Sequence, residues 1–205
     1  MNPIERLTEA FEKFPGIGPR QARRFVQFLL HQNPSYRNTL SEDIQKLGFN
    51  TFQCKACFRW SVKGSEKDGL CTICSNDKRD KGVIFIVEKD ADIDNVERSG
   101  FKGLYFVLGG AVPLAAEEPE KYIKARELSA RIKADGASGT LKEIILGLSA
   151  TTEGDHTRLI LQEKLLPVSE SLSFKLTSLG RGLSTGSELE YADPDTISEA
   201  LGNRH

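Results

Sequence analysis

Cys54-Lys-Ala-Cys57 and Cys71-Thr-Ile-Cys74 contain all four cysteines of the chain, with thirteen residues between the pairs. Each C-x-x-C turn can point two thiolates at one ion, and the intervening loop brings the second pair across. This spacing is that of a tetrahedral site of the ribbon or knuckle kind. Four unrelated thiols, or two disulfides, are the alternatives; unrelated thiols would not be expected to cluster this way. Four thiolates leave no open coordination position, so one structural Zn²⁺ per chain is expected, with no catalytic role. The sequence on either side of this window has a different character. That points to a mixed α and α/β multidomain chain in four segments: residues 1–50, 51–80, 81–180 and 181–205.

At 205 residues, with 39% hydrophobic and 28% charged residues, the composition is that of a globular protein. The net charge of −1 means that any nucleic-acid binding must come from a local patch. No apolar run approaches the length of a membrane span. Met1-Asn2-Pro3-Ile4-Glu5-Arg6 lacks the basic-then-apolar pattern of a signal peptide. Together with thiols in metal spacing, this suggests a reducing, cytoplasmic compartment.

Upstream of the cysteines, Ile4, Leu7, Phe11 and Phe14 recur at helical spacing. Phe14-Pro15-Gly16-Ile17-Gly18-Pro19-Arg20 then ends that helix and starts another, because proline and two glycines permit a tight turn with positive φ. The second helix is expected over Arg20–Leu30, burying Ala22, Phe25, Val26 and Leu29. A third amphipathic segment follows Pro34, with Leu40, Ile44 and Leu47 apolar and Gly48 as its C-cap. The first two helices and the turn between them resemble a helix-hairpin-helix module. The amides of Gly16 and Gly18 beside a helix N-terminus could hold a phosphate, with Arg20, Arg23 and Arg24 adding charge. An ordinary αα-turn with a solvated basic face would explain a bare Gly-x-Gly, but Pro-Gly-Ile-Gly-Pro-Arg between two amphipathic helices favours binding. The apolar faces are wide enough for dimerisation as well.

Around the first cysteine pair, Phe49, Phe52, Phe58 and Trp60 could stack on bases, although packing of a small core explains them better. The run Ser75–Lys81 reads as a solvated linker.

Downstream, Val83–Val87 is a β-branched apolar run ending at Glu88, read as a buried parallel strand. Asp90 and Asp92 open a helix. Further strands are expected at Leu104–Leu108, Glu143–Leu148 and Ser173–Ser178, with helices over Pro119–Lys133 and His156–Leu165. This alternation gives an α/β domain with a mainly parallel sheet, in which function collects at the carboxyl ends of strands. A strand ending in glutamate, and a later one followed by Thr152-Glu153-Gly154-Asp155, resemble a Toprim domain. Toprim enzymes hold Mg²⁺ through an additional Asp-x-Asp pair; here those two positions are Ser149 and Thr151. Hydroxyls without negative charge are poor Mg²⁺ ligands, so no catalytic residue is assigned. Glu88, Glu153 and Asp155 remain, either as acids at helix starts or as a surface for a protein partner. The tail has a glycine-rich loop at Arg181–Ser187, a strand-like Glu188–Tyr191 and a short helix over Asp193–Leu201.

The order of hairpin, four-cysteine knot, Toprim domain without its aspartates and Gly186-Ser187-Glu188-Leu189-Glu190-Tyr191 tail resembles the RecR family across essentially the whole chain. The resemblance implies a DNA-repair mediator without catalytic activity, cytoplasmic and associated with the nucleoid. Its implied partners are DNA (single-stranded, gapped or double-stranded), RecO and in some settings RecF, in loading RecA. It also implies homodimers and ring-like tetramers and no membrane. By position, Arg20 and Arg24 would face DNA and Glu153 would belong to the RecO surface. The zinc knot would hold the two halves in the orientation that a ring requires. The loop between the cysteine pairs is longer than the family's usual one, and Ala111-Val112-Pro113 departs from its pattern. The rival classes are a Mg²⁺-dependent Toprim enzyme, nuclease- or primase-like, and a protein-only adaptor.

Overall fold

Pro3, Pro19 and Pro34 each occupy the first position of a helix in the computed structural model, which describes residues 2–203. Proline suits that position because its missing N–H would have no helical partner there. The helices are α1 (Pro3–Glu12), α2 (Pro19–His31) and α3 (Pro34–Asn50). Asn2 and Asn33 cap α1 and α3 by accepting from the Glu5 and Tyr36 amides at 2.9 and 2.8 Å; no side chain caps α2. Gly48 lies inside α3 and is not its C-cap. The helix continues to Asn50, and the chain then turns extended at Thr51. Among the described residues these helices bury only Thr8, Ala22 and Val26, and Phe25, expected inside, is 39% exposed.

The chain divides into two compact units between Phe52 and Gln53. The two short strands β1 (Thr51–Gln53) and β2 (Trp60–Val62) flank the first cysteine turn.

The second unit is built on four parallel strands in the order β4-β3-β5-β6. These are β3 (Asp80–Val87), β4 (Gly103–Val107), β5 (Glu143–Gly147) and β6 (Lys175–Ser178). They alternate with α4 (Asp90–Arg98), α5 (Ala125–Ala137) and α6 (Thr152–Leu172). Ile84, Ile86, Phe106, Ile144 and Leu146 of the sheet meet Leu128 and Ile132 of α5 and Leu161 and Leu165 of α6 in one core. Gly147 leaves room for the Phe85 ring, which would lie 1.8 Å from an added Cβ.

Several boundaries differ from the sequence expectation. The polar helix expected from Pro119 is a single 3-10 turn at Pro119–Lys121, with α5 starting only at Ala125. Helix α6 begins four residues before His156 and continues through Pro167 to Leu172, where Ser173 ends it in the left-handed conformation. Burial of Leu161, Leu165 and Ser169 outweighs the proline's lost hydrogen bond. The supposed linker is partly structural, since Asp80 and Lys81 begin β3. Arg79, its side chain 10% exposed, pairs with Glu97 and donates to the Phe101 and Gly103 carbonyls at 3.0 and 3.2 Å. In the tail, Leu189–Tyr191 is a 3-10 turn and not a strand, followed by α7 (Pro194–Gly202). No helix among the described residues is long and apolar enough to cross a membrane.

Candidate metal centre and binding surfaces

The four cysteine sulfurs lie within 4.8 Å of one another, and all four residues are buried. The two C-x-x-C turns have matching backbones: the Phe58 amide donates to the Cys54 carbonyl at 2.9 Å, and the Ser75 amide to the Cys71 carbonyl at 3.0 Å. Phe58 takes a φ of +61°, letting the chain leave the first turn. The Cys71 amide donates to the Cys54 sulfur at 3.3 Å, and the Cys57 and Cys71 sulfurs are 3.7 Å apart. A tetrahedral ion with metal–sulfur bonds of about 2.3 Å requires sulfurs about 3.8 Å apart, so the donor set fits a metal ion. The thiols also perturb each other. Hydrogen bonding with Cys57, then Cys71 and Cys74, drives the Cys54 thiol far below its ordinary value, and the contact with Cys54 drives Cys57 far above. A bound cation would relieve that competition by stabilising every thiolate at once.

Within the second unit, the knuckle is fastened to α5, β4 and α4. The Arg131 guanidinium on α5 donates to the Ala56 carbonyl at 2.6 Å, and the Val107 amide at the end of β4 donates to the Cys57 carbonyl at 2.9 Å. Arg59 pairs with Asp90 and Asp94 on α4 at 3.1 and 3.2 Å, while the Trp60 amide donates to Asp90 at 2.7 Å. Phe58 packs edge-on against Phe106 at 5.4 Å. Phe58 is therefore a core residue as expected, but Trp60 is 58% exposed and packs no core.

In the hairpin, Gly16 has a φ of +75°, which disfavours any side chain there, whereas Gly18 is extended. The Gly18 carbonyl accepts from the Gln21 and Ala22 amides, while the Gly16 and Gly18 amides have no partner in the chain among the described residues. Arg20, Arg23 and Arg24 are exposed and pair with no described carboxylate. An open apolar groove of about 830 Å³ runs along the same unit, lined by Ile4, Leu7, Phe14, Leu30, Leu40 and Ile44 among others.

The three acids at the carboxyl edge of the sheet occupy different situations. Glu88, 5% exposed, directly follows β3 and accepts twice from Ser149: from its amide at 2.8 Å and its hydroxyl at 2.7 Å. Glu153 is exposed on the first turn of α6. Asp155 pairs with Arg158 on α6 and with Arg181, where the tail begins. The Arg181 guanidinium holds the Asp155 carboxyl below the usual carboxylate range against the opposing effect of burial, with Arg158 adding to the lowering. Thr151 caps α6, accepting from the Gly154 amide at 3.1 Å. The Asp-x-Asp positions of a Toprim metal site thus hold a hydroxyl donating to Glu88 and a helix cap, a poor set for Mg²⁺. Sequence reasoning assigns neither Arg181 nor Ser149 as a partner of these acids. The position of Ser149 opposite Glu88 is the only sequence signal that points to either pairing.

Comparison with known proteins matches residues 4–47 to the RecR helix-hairpin-helix, 82–174 to the Toprim domain and 182–205 to the RecR C-terminal region. The recombination protein RecR of Herpetosiphon aurantiacus is 37% identical over 204 residues, covering 98% of this chain and 93% of that protein. The RecR proteins of Dehalococcoides mccartyi and Prochlorococcus marinus strain MIT 9515 are each 37% identical, also over 98% of this chain and over 93% and 95% of their own lengths. With hairpin, Toprim domain and C-terminal region in one order, and this identity along nearly its full length, the chain belongs to the RecR family of recombination proteins.

Proposed function

We propose that this chain is a non-catalytic recombination mediator that grips DNA without sequence preference through its hairpin. It would work as a ring-like oligomer in the cytoplasm, with Zn²⁺ in the four-cysteine site. With RecO, and in some settings RecF, it would promote RecA loading on single-stranded DNA. The observation that carries the DNA reading is the turn at Gly16–Arg20. The Gly16 and Gly18 amides, without a partner among the described residues, lie beside a helix N-terminus that no described side chain caps, and exposed Arg20, Arg23 and Arg24 follow on the same helix. Such a site attracts a phosphate and reads no base.

Self-association is supported by the open apolar groove of the hairpin unit, lined by side chains of that unit. Sulfur spacing near that of a tetrahedral site favours Zn²⁺. Glu153 is the acid free to meet a basic partner surface; Glu88 is turned inward and Asp155 is held by two arginines. Ser149 and Thr151 at the two aspartate positions argue against the Mg²⁺-dependent enzyme.

The test is a salt titration of DNA binding. Replacing Arg20 and Arg24 with alanine should weaken binding and lower the log–log salt slope by about 0.9 for each duplex phosphate that is no longer neutralised. An unchanged slope with an intact fold would instead favour a protein-only adaptor.

A further inference from the structure

The crevice where β3 and β5 deliver their carboxyl ends contains a carboxylate removed from water. Glu88 is 5% exposed, and a carboxylate so placed needs charge-assisted donors. Both of its described side-chain partners come from one residue: Ser149 donates its amide to one oxygen at 2.8 Å and its hydroxyl to the other at 2.7 Å. Ser149 itself is exposed and lies over the glutamate as a cover. Glu88 is also fixed through its backbone, its carbonyl accepting from the Gly109 amide at 3.0 Å.

The first turn of α6 presses onto the same loop. A Cβ at Gly154 would lie 2.1 Å from the Ser149 carbonyl oxygen and 3.1 Å from Glu88 Oε1, so only glycine fits there. One residue earlier is the exposed Glu153. Its carbonyl accepts from Thr157 at 2.7 Å, and the Thr157 hydroxyl accepts in turn from the Val112 amide at 2.8 Å.

We infer that Glu88 is a positioning residue: clasped by Ser149, it seats the 149–154 loop and thereby sets the direction of the Glu153 face, with hydrogen bonds standing where a Toprim enzyme places its cation. The physical basis is charge compensation. An amide and a hydroxyl dipole directed at a buried carboxylate do locally what a divalent ion would do, without needing further anionic ligands. This goes beyond the partner reading and rests on it only for what Glu153 meets.

The experiment follows amide exchange of residues 149–155 and thermal melting in the free full-length protein, with and without millimolar Mg²⁺. Ser149→Ala should speed exchange of the loop by about tenfold, the effect expected from removing one hydrogen bond to a charged group. Ser149→Thr, which keeps the hydroxyl, should restore wild-type exchange. Mg²⁺ should leave wild-type exchange and melting unchanged. Unaltered exchange in Ser149→Ala would overturn the inference. So would a saturable rise in wild-type melting with Mg²⁺ that Glu88→Gln abolishes, since Glu88 would then be a metal ligand. Glu153→Ala, assayed for binding to purified RecO, tests the partner reading separately. It leaves the clasp intact, so failure of either idea is seen without the other.

Discussion

The hairpin unit and the Toprim unit solve the problem of burial differently. The sheet of the second unit is covered by α5 and α6 and encloses Ile84, Ile86, Phe106, Ile144, Leu146 and their neighbours. The three helices of the first unit leave Ile4, Leu7, Phe14, Phe28, Ile44 and Leu47 between 39% and 65% exposed. A small domain that leaves this much apolar surface in water gains little from folding by itself. The second unit therefore buries its apolar side chains within itself, and the first leaves many of its own exposed. The cysteine knuckle sits on the self-sufficient side, fastened by Arg131, Val107 and Arg59. What is legible about its role is anchorage to the Toprim domain.

The largest expected effect falls on that knuckle. Structural zinc contributes about 10–16 kcal/mol of apparent binding free energy in segments too small to fold alone. Cys71→Ser should abolish stoichiometric metal, measured by elemental analysis, and melt residues 53–78 in amide exchange while the strands stay protected. A knuckle that remains protected without metal would show that the docking contacts alone suffice, and would widen the difference between it and the hairpin.

Next come paired substitutions that test the contrast directly. Leu161→Ala, at a site 1% exposed in the core, should cost about 2–5 kcal/mol in denaturant unfolding. Ile44→Ser, at a site 64% exposed, should change the monomer's stability by less than about 0.5 kcal/mol. It should instead weaken self-association, read by sedimentation or light scattering across concentrations. If Ile44→Ser left the association state unchanged while lowering stability like a core variant, the first unit would be self-sufficient after all.

How much could be read from the sequence follows the same division. The strand at Val83–Val87 and its glutamate were legible because a continuous β-branched run has few alternatives, and the four cysteines because their spacing is itself geometric. The extent of α6 was not: Pro167 is a local stop signal, and only tertiary burial of Ser169 and its neighbours carries the helix past it. Arg79 was hidden within a charged run, since nothing local says that one cation of several will turn inward toward Glu97. The buried face assigned to α2 was too wide, because periodicity marks an apolar side chain without saying whether this chain supplies its cover. At the sheet edge, the residue types were legible, but not which acid would be sequestered, which tethered and which exposed.

A smaller effect tests the closed packing at that edge. Gly154→Ala forces a methyl group against the Ser149 carbonyl, a backbone atom that can yield only by moving the loop. A destabilisation of about 1–3 kcal/mol is expected, with faster exchange confined to the loop and the first turn of α6. Wild-type stability in this variant would mean that the loop is loose, like the hairpin surface, and not packed like the core.

The smallest effect concerns the tether between α6 and the tail. Because Arg181, and then Arg158, stabilise its charged form, the Asp155 carboxyl titrates below its ordinary value. The ion pair's contribution is therefore complete above the unfolded carboxylate pKa of about 3.9 and disappears as pH falls through the lower folded value. The three side chains are each about a third exposed, so solvent screening holds the contribution to about 1 kcal/mol or less. Glu199 also attracts Arg181 and would keep part of the tether in place. Asp155→Asn should thus melt slightly lower than wild type at neutral pH, with the gap closing toward pH 3 and shrinking in high salt. Limited proteolysis near Arg181 should accelerate in the variant over the same pH range. A gap that persists undiminished below pH 3 would assign the tail's attachment to packing rather than charge, and would group residues 181–203 with the closed core of the second unit rather than with its exposed surfaces.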